Sequence, residues 1–181
     1  MKYTLTLNQL KRAIQSRDSL LHSNNNGSRT PLTKGSSVTV YIGHSFDGEV
    51  SRGAYAFRVI GCPFVSNPRV MIARSDRQIQ LQAIKWILQQ PSIRGALEIH
   101  TRDRALMEQL SGEEFRRLKR NGWIGADGRP LMNADLLKSI AALMDRRVVS
   151  FRSNSSLQFQ YHAQLDAQRA LKEWRMEHFG V

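Results

Sequence analysis

The order in which two hydrophobic periods follow one another constrains this chain most. Val38 to Ile42 alternates apolar and polar residues, and Gly53 to Cys62 is rich in aromatic and β-branched residues, so the two segments predict a β-hairpin. Val70 to Ala73 predicts a short third strand. The pattern then turns helical: Leu81, Ala83, Ile84, Ile87 and Leu88 recur at helix spacing between Ile79 and Gln89, and Pro91 stops the run. Ala96 to Thr101 reads as a fourth strand and Ala105 to Leu110 starts another helix. Asn133 opens a further amphipathic helix, Val148 to Phe151 is a fifth strand, and a helix ends the chain. Three consecutive strands followed by alternating strands and helices predict an α/β (α+β) domain.

With 181 residues and 41% hydrophobic content, the chain is long enough for one ordinary core. A net charge of +12 and a pI near 10.7 make a polyanion the expected partner, nucleic acid first and an anionic membrane surface second. The single Cys62 excludes an internal disulfide framework and suits a reducing compartment. No run is apolar and long enough to span a bilayer, and Met1 to Ser37 lacks an apolar signal core, so a cytoplasmic location without membrane partners is expected.

The composition divides the chain into an arm, 1–37, and a domain, 38–181. In the arm, Leu10, Ala13, Ile14, Leu20 and Leu21 fall mostly on one face of a helix expected over residues 8–21. His22 to Ser37 is rich in Asn, Ser and Gly, the composition of a flexible linker. The helix either packs on the domain or docks on a partner protein. Lys2, Lys11, Arg12, Arg17, Arg29 and Lys34 against the single acid Asp18 also suit loose phosphate contacts.

One stretch is more specific than these patterns. Leu118 to Leu136 reads Leu-Lys-Arg-Asn-Gly-Trp-Ile-Gly-Ala-Asp-Gly-Arg-Pro-Leu-Met-Asn-Ala-Asp-Leu. It resembles the basic protrusion, or handle, of bacterial ribonuclease H type 1, whose pattern is Trp-Lys-Lys-Arg-Gly-Trp, a short polar turn, a proline and Asn-x-Asp-Leu. The resemblance covers roughly Ser37 to Trp174. It implies the ribonuclease H-like fold: a five-stranded mixed sheet flanked by helices, with a handle that helps hold an RNA/DNA duplex.

That family carries four carboxylates, and the resemblance places most of them on other residues here. Its first strand ends in Thr-Asp-Gly-Ser ahead of Gly-Gly-Tyr-Gly; here Ile42-Gly43-His44-Ser45 precedes Gly53-Ala54-Tyr55-Ala56, which puts Gly43 in the first acid's place. Gln80, in Gln80-Leu81-Gln82-Ala83, takes the place of the helix Glu. Thr101-Arg102-Asp103 answers Thr-Asp-Ser, so Arg102 takes the third place, or Asp103 does if the register slips by one. Asp166 matches the last acid, with a helix N-terminal acid as its plain alternative. The family's His loop is replaced by Ser153 to Gln160.

Two-metal phosphodiester hydrolysis needs a cage of hard carboxylate ligands. Gly43 has no side chain, Gln80 offers a neutral oxygen, and Arg102 would bring a fixed positive charge. The expectation is therefore no catalytic residue, no metal and no cofactor. A rebuilt metal site would have to draw on Asp47, Glu49 or Glu98, and the five histidines lack ligand spacing.

Backbone binding remains open to such a chain. Arg102, Arg116, Arg117, Lys119, Arg120, Trp123 and Arg129 are the candidate nucleic-acid contacts, and by resemblance Asn133 with Ser75 would form a phosphate pocket. Trp123 has a second reading as the anchor of the handle, and Glu113 and Glu114 weaken the local field. The first expectation is a non-cleaving binder of RNA, DNA or their hybrid, with duplex RNA or the hybrid foremost. The alternatives are a scaffold subunit of a nucleic-acid-processing, interference, phage or plasmid assembly, recruited through residues 8–21, and an active hybrid ribonuclease with a rebuilt site.

Overall fold

The computed structural model describes residues 37–62, 67–153 and 157–180. The expected arm helix, nearly all of its linker and part of the Ser153 to Gln160 segment lie outside them. Five strands, β1 (Ser37–Asp47), β2 (Arg52–Ile60), β3 (Arg69–Ile72), β4 (Ala96–His100) and β5 (Val149–Arg152), form one sheet in the order β3-β2-β1-β4-β5. β2 is antiparallel to β1 and β3, whereas β4 is parallel to β1 and β5. The helices are α1 (Asp76–Leu88), α2 (Arg104–Ser111), α3 (Glu113–Arg120), α4 (Ala134–Met144) and α5 (Leu157–Phe179). This is the five-stranded mixed sheet of the ribonuclease H-like fold, with helices on both faces.

Strand alternation assigns the faces. Val38, Val40 and Ile42 of β1 point into the main core with Ile79, Ala83, Ile84 and Ile87 of α1 and Leu137 and Ile140 of α4. The intervening positions point the other way: Tyr41 stacks on Phe159 of α5 at 5.4 Å, and Gly43 lies under the α5 backbone at Ala163. A Cβ on Gly43 would stand 2.0 Å from the Ala163 carbonyl carbon. Ala54 and Ala56 of β2 meet Ala167 and Leu171, so small residues on both partners let α5 settle close to the sheet.

β1 runs past the expected end at Ile42 because its polar continuation still pairs with β2, from Gly43 opposite Ala56 to Asp47 opposite Arg52. Its parallel partner leaves sooner, since the β1–β4 pairing ends at Tyr41 opposite His100. Side chains of α5 satisfy the next backbone groups. Gln160 donates to the Ile42 carbonyl, while Gln164 donates to the His44 carbonyl and accepts the His44 amide at 3.3 Å. An edge that would leave buried donors and acceptors unpaired is thereby closed by two glutamines.

Candidate nucleic-acid interface

Polar side chains gather at the carboxyl ends of β1 and β4, the end of parallel strands where open α/β sheets place their sites. His44 comes from β1, Asp76 and Gln80 from the first turns of α1, and Thr101 and Asp103 from the β4–α2 junction. Ser75 caps α1 by accepting the Gln78 amide at 3.2 Å, which sets the phase that puts Asp76 and Gln80 on one face four residues apart. Asp103 caps α2 with its Oδ1 on the Leu106 amide at 2.8 Å, leaving Oδ2 for the cluster.

Gln80 is the hub and is 3% exposed. Its Nε2 donates to Asp76 Oδ2 at 2.9 Å and to Asp103 Oδ2 at 3.3 Å, and its Oε1 accepts from Thr101 Oγ1 at 3.4 Å. The amide must be turned this way, because an oxygen there would face two carboxylates with nothing to donate. His44 Nε2 meets Asp76 Oδ2 at 3.0 Å and so carries the proton, while His44 Nδ1 is buried without a hydrogen-bond partner among the described residues. Arg77 Nη1 lies 3.2 Å from Asp103 Oδ2, an ion pair whose angle is too poor for a hydrogen bond.

The pair of divalent ions implied by the resemblance would need anionic oxygens free to converge on them. Here both carboxylates are joined by a neutral amide and each also faces a nitrogen of another side chain, so the donor set does not fit such a pair. Among the described residues, no three His, Cys, Asp or Glu side chains are arranged to hold a metal ion.

The positions singled out by the resemblance lie at different places around the sheet. Gly43 faces α5, and its neighbour His44 is the β1 residue that reaches the cluster. Arg102 is exposed, whereas Asp103 turns toward Gln80. Asp166 pairs with Arg58 of β2 on the α5 side of the sheet, and Gln164, two residues earlier, is the α5 side chain at β1. A step of two residues turns about 200° around a helix, so both cannot face β1. Asp47 and Glu49 are paired with Arg175 of α5, at 2.6 and 3.2 Å, rather than folded back toward the cluster. Glu98 points to the α5 face, where it meets His100 Nε2 at 2.7 Å and Arg152 Nε at 3.3 Å. The His100 hydrogen bond holds the Glu98 carboxyl below its ordinary range, with burial opposing and Arg152 assisting.

The handle is compact. After α3 the chain turns through Gly122 (φ 66°) and Trp123 (φ 67°), with the Trp123 amide closing on the Leu118 carbonyl at 2.8 Å. Trp123 is 5% exposed and meets Phe115 edge-on at 5.2 Å. It packs as the anchor of the handle, the second of the two readings its sequence position allowed, and offers little surface to a nucleic acid. The basic residues stay exposed but are engaged: Arg116 with Glu113, Arg117 with Glu114, Lys119 with Asp145 and Arg120 with Glu113. Such exposed pairs contribute little and exchange readily for other anions. Arg129 is exposed on the handle turn.

Ser75 and Asn133 do come together. They line one cavity of about 600 Å³ with Arg74, Gln78, Ala73, Ile72 and Met132. Asn133 precedes α4 in the left-handed region (φ 63°) and makes no side-chain cap bond, so its amide is not consumed by the helix. Arg74, Gln78 and Met132 were not singled out in the sequence. The Ser75 cap followed three residues on by Gln78 was the available signal.

No family model matches the sequence, and no curated protein does. Similar solved structures identify the fold. A foamy viral protease-reverse transcriptase solved in complex with dsDNA matches at 12% identity over 78% of this chain and 97% of that one, with a TM-score of 0.61. A type 1 RNase H with the type 2 active-site motif matches at 16% identity over 81% and 75%, TM-score 0.60. RNase H1 of the halophilic archaeon Halobacterium salinarum matches at 14% identity over 76% and 99%, TM-score 0.55. The class is thus the ribonuclease H-like fold, in which these neighbours are RNase H enzymes or a reverse transcriptase seen with nucleic acid.

Proposed function

We propose that this protein grips a nucleic-acid duplex, RNA or an RNA/DNA hybrid, by its backbone and leaves it uncut. The observation that carries this reading is the Gln80 amide bridging Asp76 and Asp103. Two-metal hydrolysis requires that space to be negatively charged and open to cations. Here it is filled by a donor, with His44 and Arg77 adding to the same side of the balance. Binding is supported by the net charge of +12, the exposed bases of the handle and the cavity that unites Arg74, Ser75 and Asn133. A structural neighbour in complex with dsDNA shares the fold.

Mobility shifts with a labelled hybrid and an RNA duplex, at stepped salt and with magnesium or manganese present, test the reading. The expected result is affinity that falls steeply with salt and substrate that stays intact. Metal-dependent cleavage would overturn the second half of the proposal. Binding that is absent at low salt, or indifferent to salt, would overturn the first.

A further inference from the structure

The cavity at Ser75 and Asn133 has a feature that phosphate binding alone does not use. Ile72 and Met132 line it and are 67% and 78% exposed; among the large apolar side chains of the described residues only Val148, at 72%, is comparably open to solvent. They come from separate elements, Ile72 from the end of β3 and Met132 from the segment before α4. The same cavity is lined by the polar residues Arg74, Ser75, Gln78 and Asn133. A site for a bare inorganic anion needs donors and no apolar rim, because hydrocarbon beside a hydrated anion gains nothing. A nucleotide has both kinds of surface: charged phosphate oxygens, and the C–H faces of the sugars on either side.

We infer that Ile72 and Met132 are apolar lips that cover the sugars flanking a phosphate held at Arg74, Ser75 and Asn133, so that this site selects nucleic acid over other polyanions. The inference rests on the nucleic-acid reading above and assigns it a second, salt-insensitive component. Covering hydrocarbon releases water, not counterions, so the lips act on affinity without altering its dependence on salt. Arg74 acts through charge and alters that dependence.

The test uses the full chain, with a labelled RNA/DNA hybrid and inorganic polyphosphate as probes across a salt series. Ile72→Ser with Met132→Ser should weaken hybrid binding by about tenfold at every salt concentration, with the slope of log K against log salt unchanged and polyphosphate binding unchanged. Arg74→Ala should lower that slope by about one and weaken both probes. Both lips are surface side chains, and a melting temperature equal to the parent's confirms that each variant is folded. Parent-like hybrid affinity in the double serine variant, or an equal loss for polyphosphate, overturns the lips while leaving the binder reading intact. No hybrid binding by the parent chain at low salt overturns that reading, and the lips with it.

Discussion

Replacing Gln80 by Glu changes one donor group into an acceptor at the point where two carboxylates meet. The native amide nitrogen stands 2.9 Å from Asp76 Oδ2 and 3.3 Å from Asp103 Oδ2. The variant loses both hydrogen bonds, each contributing about 1 kcal/mol. It also brings a third negative charge to within roughly 4 Å of two others, a repulsion of about 4 kcal/mol per pair at an effective dielectric near 20. Solvent screens much of this, since the Asp76 and Asp103 side chains are 49% and 26% exposed. A net loss of about 3 kcal/mol at neutral pH is the reasonable balance, equivalent to a melting temperature lower by about 6–12 °C for a chain of this size.

Two dependences identify the cause. Acidification, which protonates a carboxyl of the trio and returns a donor to the cluster, should narrow the deficit. A divalent cation should do the same, because three carboxylates beside His44 would then be a ligand set; at a hundred times its dissociation constant it restores about 2.7 kcal/mol. Calorimetric melts of parent and variant in chelator, magnesium and manganese, at neutral and mildly acid pH, measure all of this. The reasoning fails if Gln80→Glu melts with the parent in chelator at neutral pH. It fails equally if manganese raises the parent as much as the variant, since the native donor set would then hold cations already.

Gly43→Ala should cost more than 3 kcal/mol in chemical denaturation, because its Cβ would lie 2.0 to 2.2 Å from three backbone atoms of α5 and the helix would have to withdraw. Gly43→Asp, the reversion suggested by the resemblance, should therefore unfold the α5 contact and yield no cleavage. Glu98→Gln should flatten the acid limb of the stability profile. The lowered Glu98 carboxyl stabilises the fold above the ordinary carboxylate range, and that contribution disappears as pH falls through its depressed value. Glu113→Gln with Glu114→Gln should raise hybrid affinity severalfold at low salt by freeing Arg116, Arg117 and Arg120, an effect that fades as salt rises. Asp166→Asn should leave hybrid binding unchanged and lower stability by under about 1 kcal/mol, because its partner Arg58 lies on an exposed surface.

The strand and helix order was legible because each element carries its own period. The Val38 alternation, the aromatic run of β2 and the helical repeat of α1 each needed only local information. The handle was legible for a related reason: Gly122, Gly128 and Pro130 are turn residues by their own backbone, and both glycines take positive φ, 66° and 75°. What Trp123 touches was not local. Its burial against Phe115 depends on how α3 returns to the core, which is why the sequence left both the contact and the anchor readings open.

Which residues reach the cluster turns on single steps along the chain, and each step has a geometric cause. The motif match put Gly43 in the first acid's place; in the sheet Gly43 pairs with Ala56 and lies under α5, while its neighbour His44, opposite Tyr55, meets Asp76. Neighbouring strand residues face opposite sides, so an error of one moves the inferred side chain through the sheet. At the β4–α2 junction the sequence left Arg102 and Asp103 open, and the cap geometry of Asp103 brings it to Gln80. On α5 the retained acid at Asp166 drew the alignment, while the glutamines at 160 and 164 share the face that docks on β1. The place of Gln80 was marked in the sequence, but that its amide donates to two carboxylates at once depends on the fold. The usable signal was the pair Asp76 and Gln80, an acid and an amide at helix spacing behind a serine cap, which places a donor against an acceptor without reference to any family.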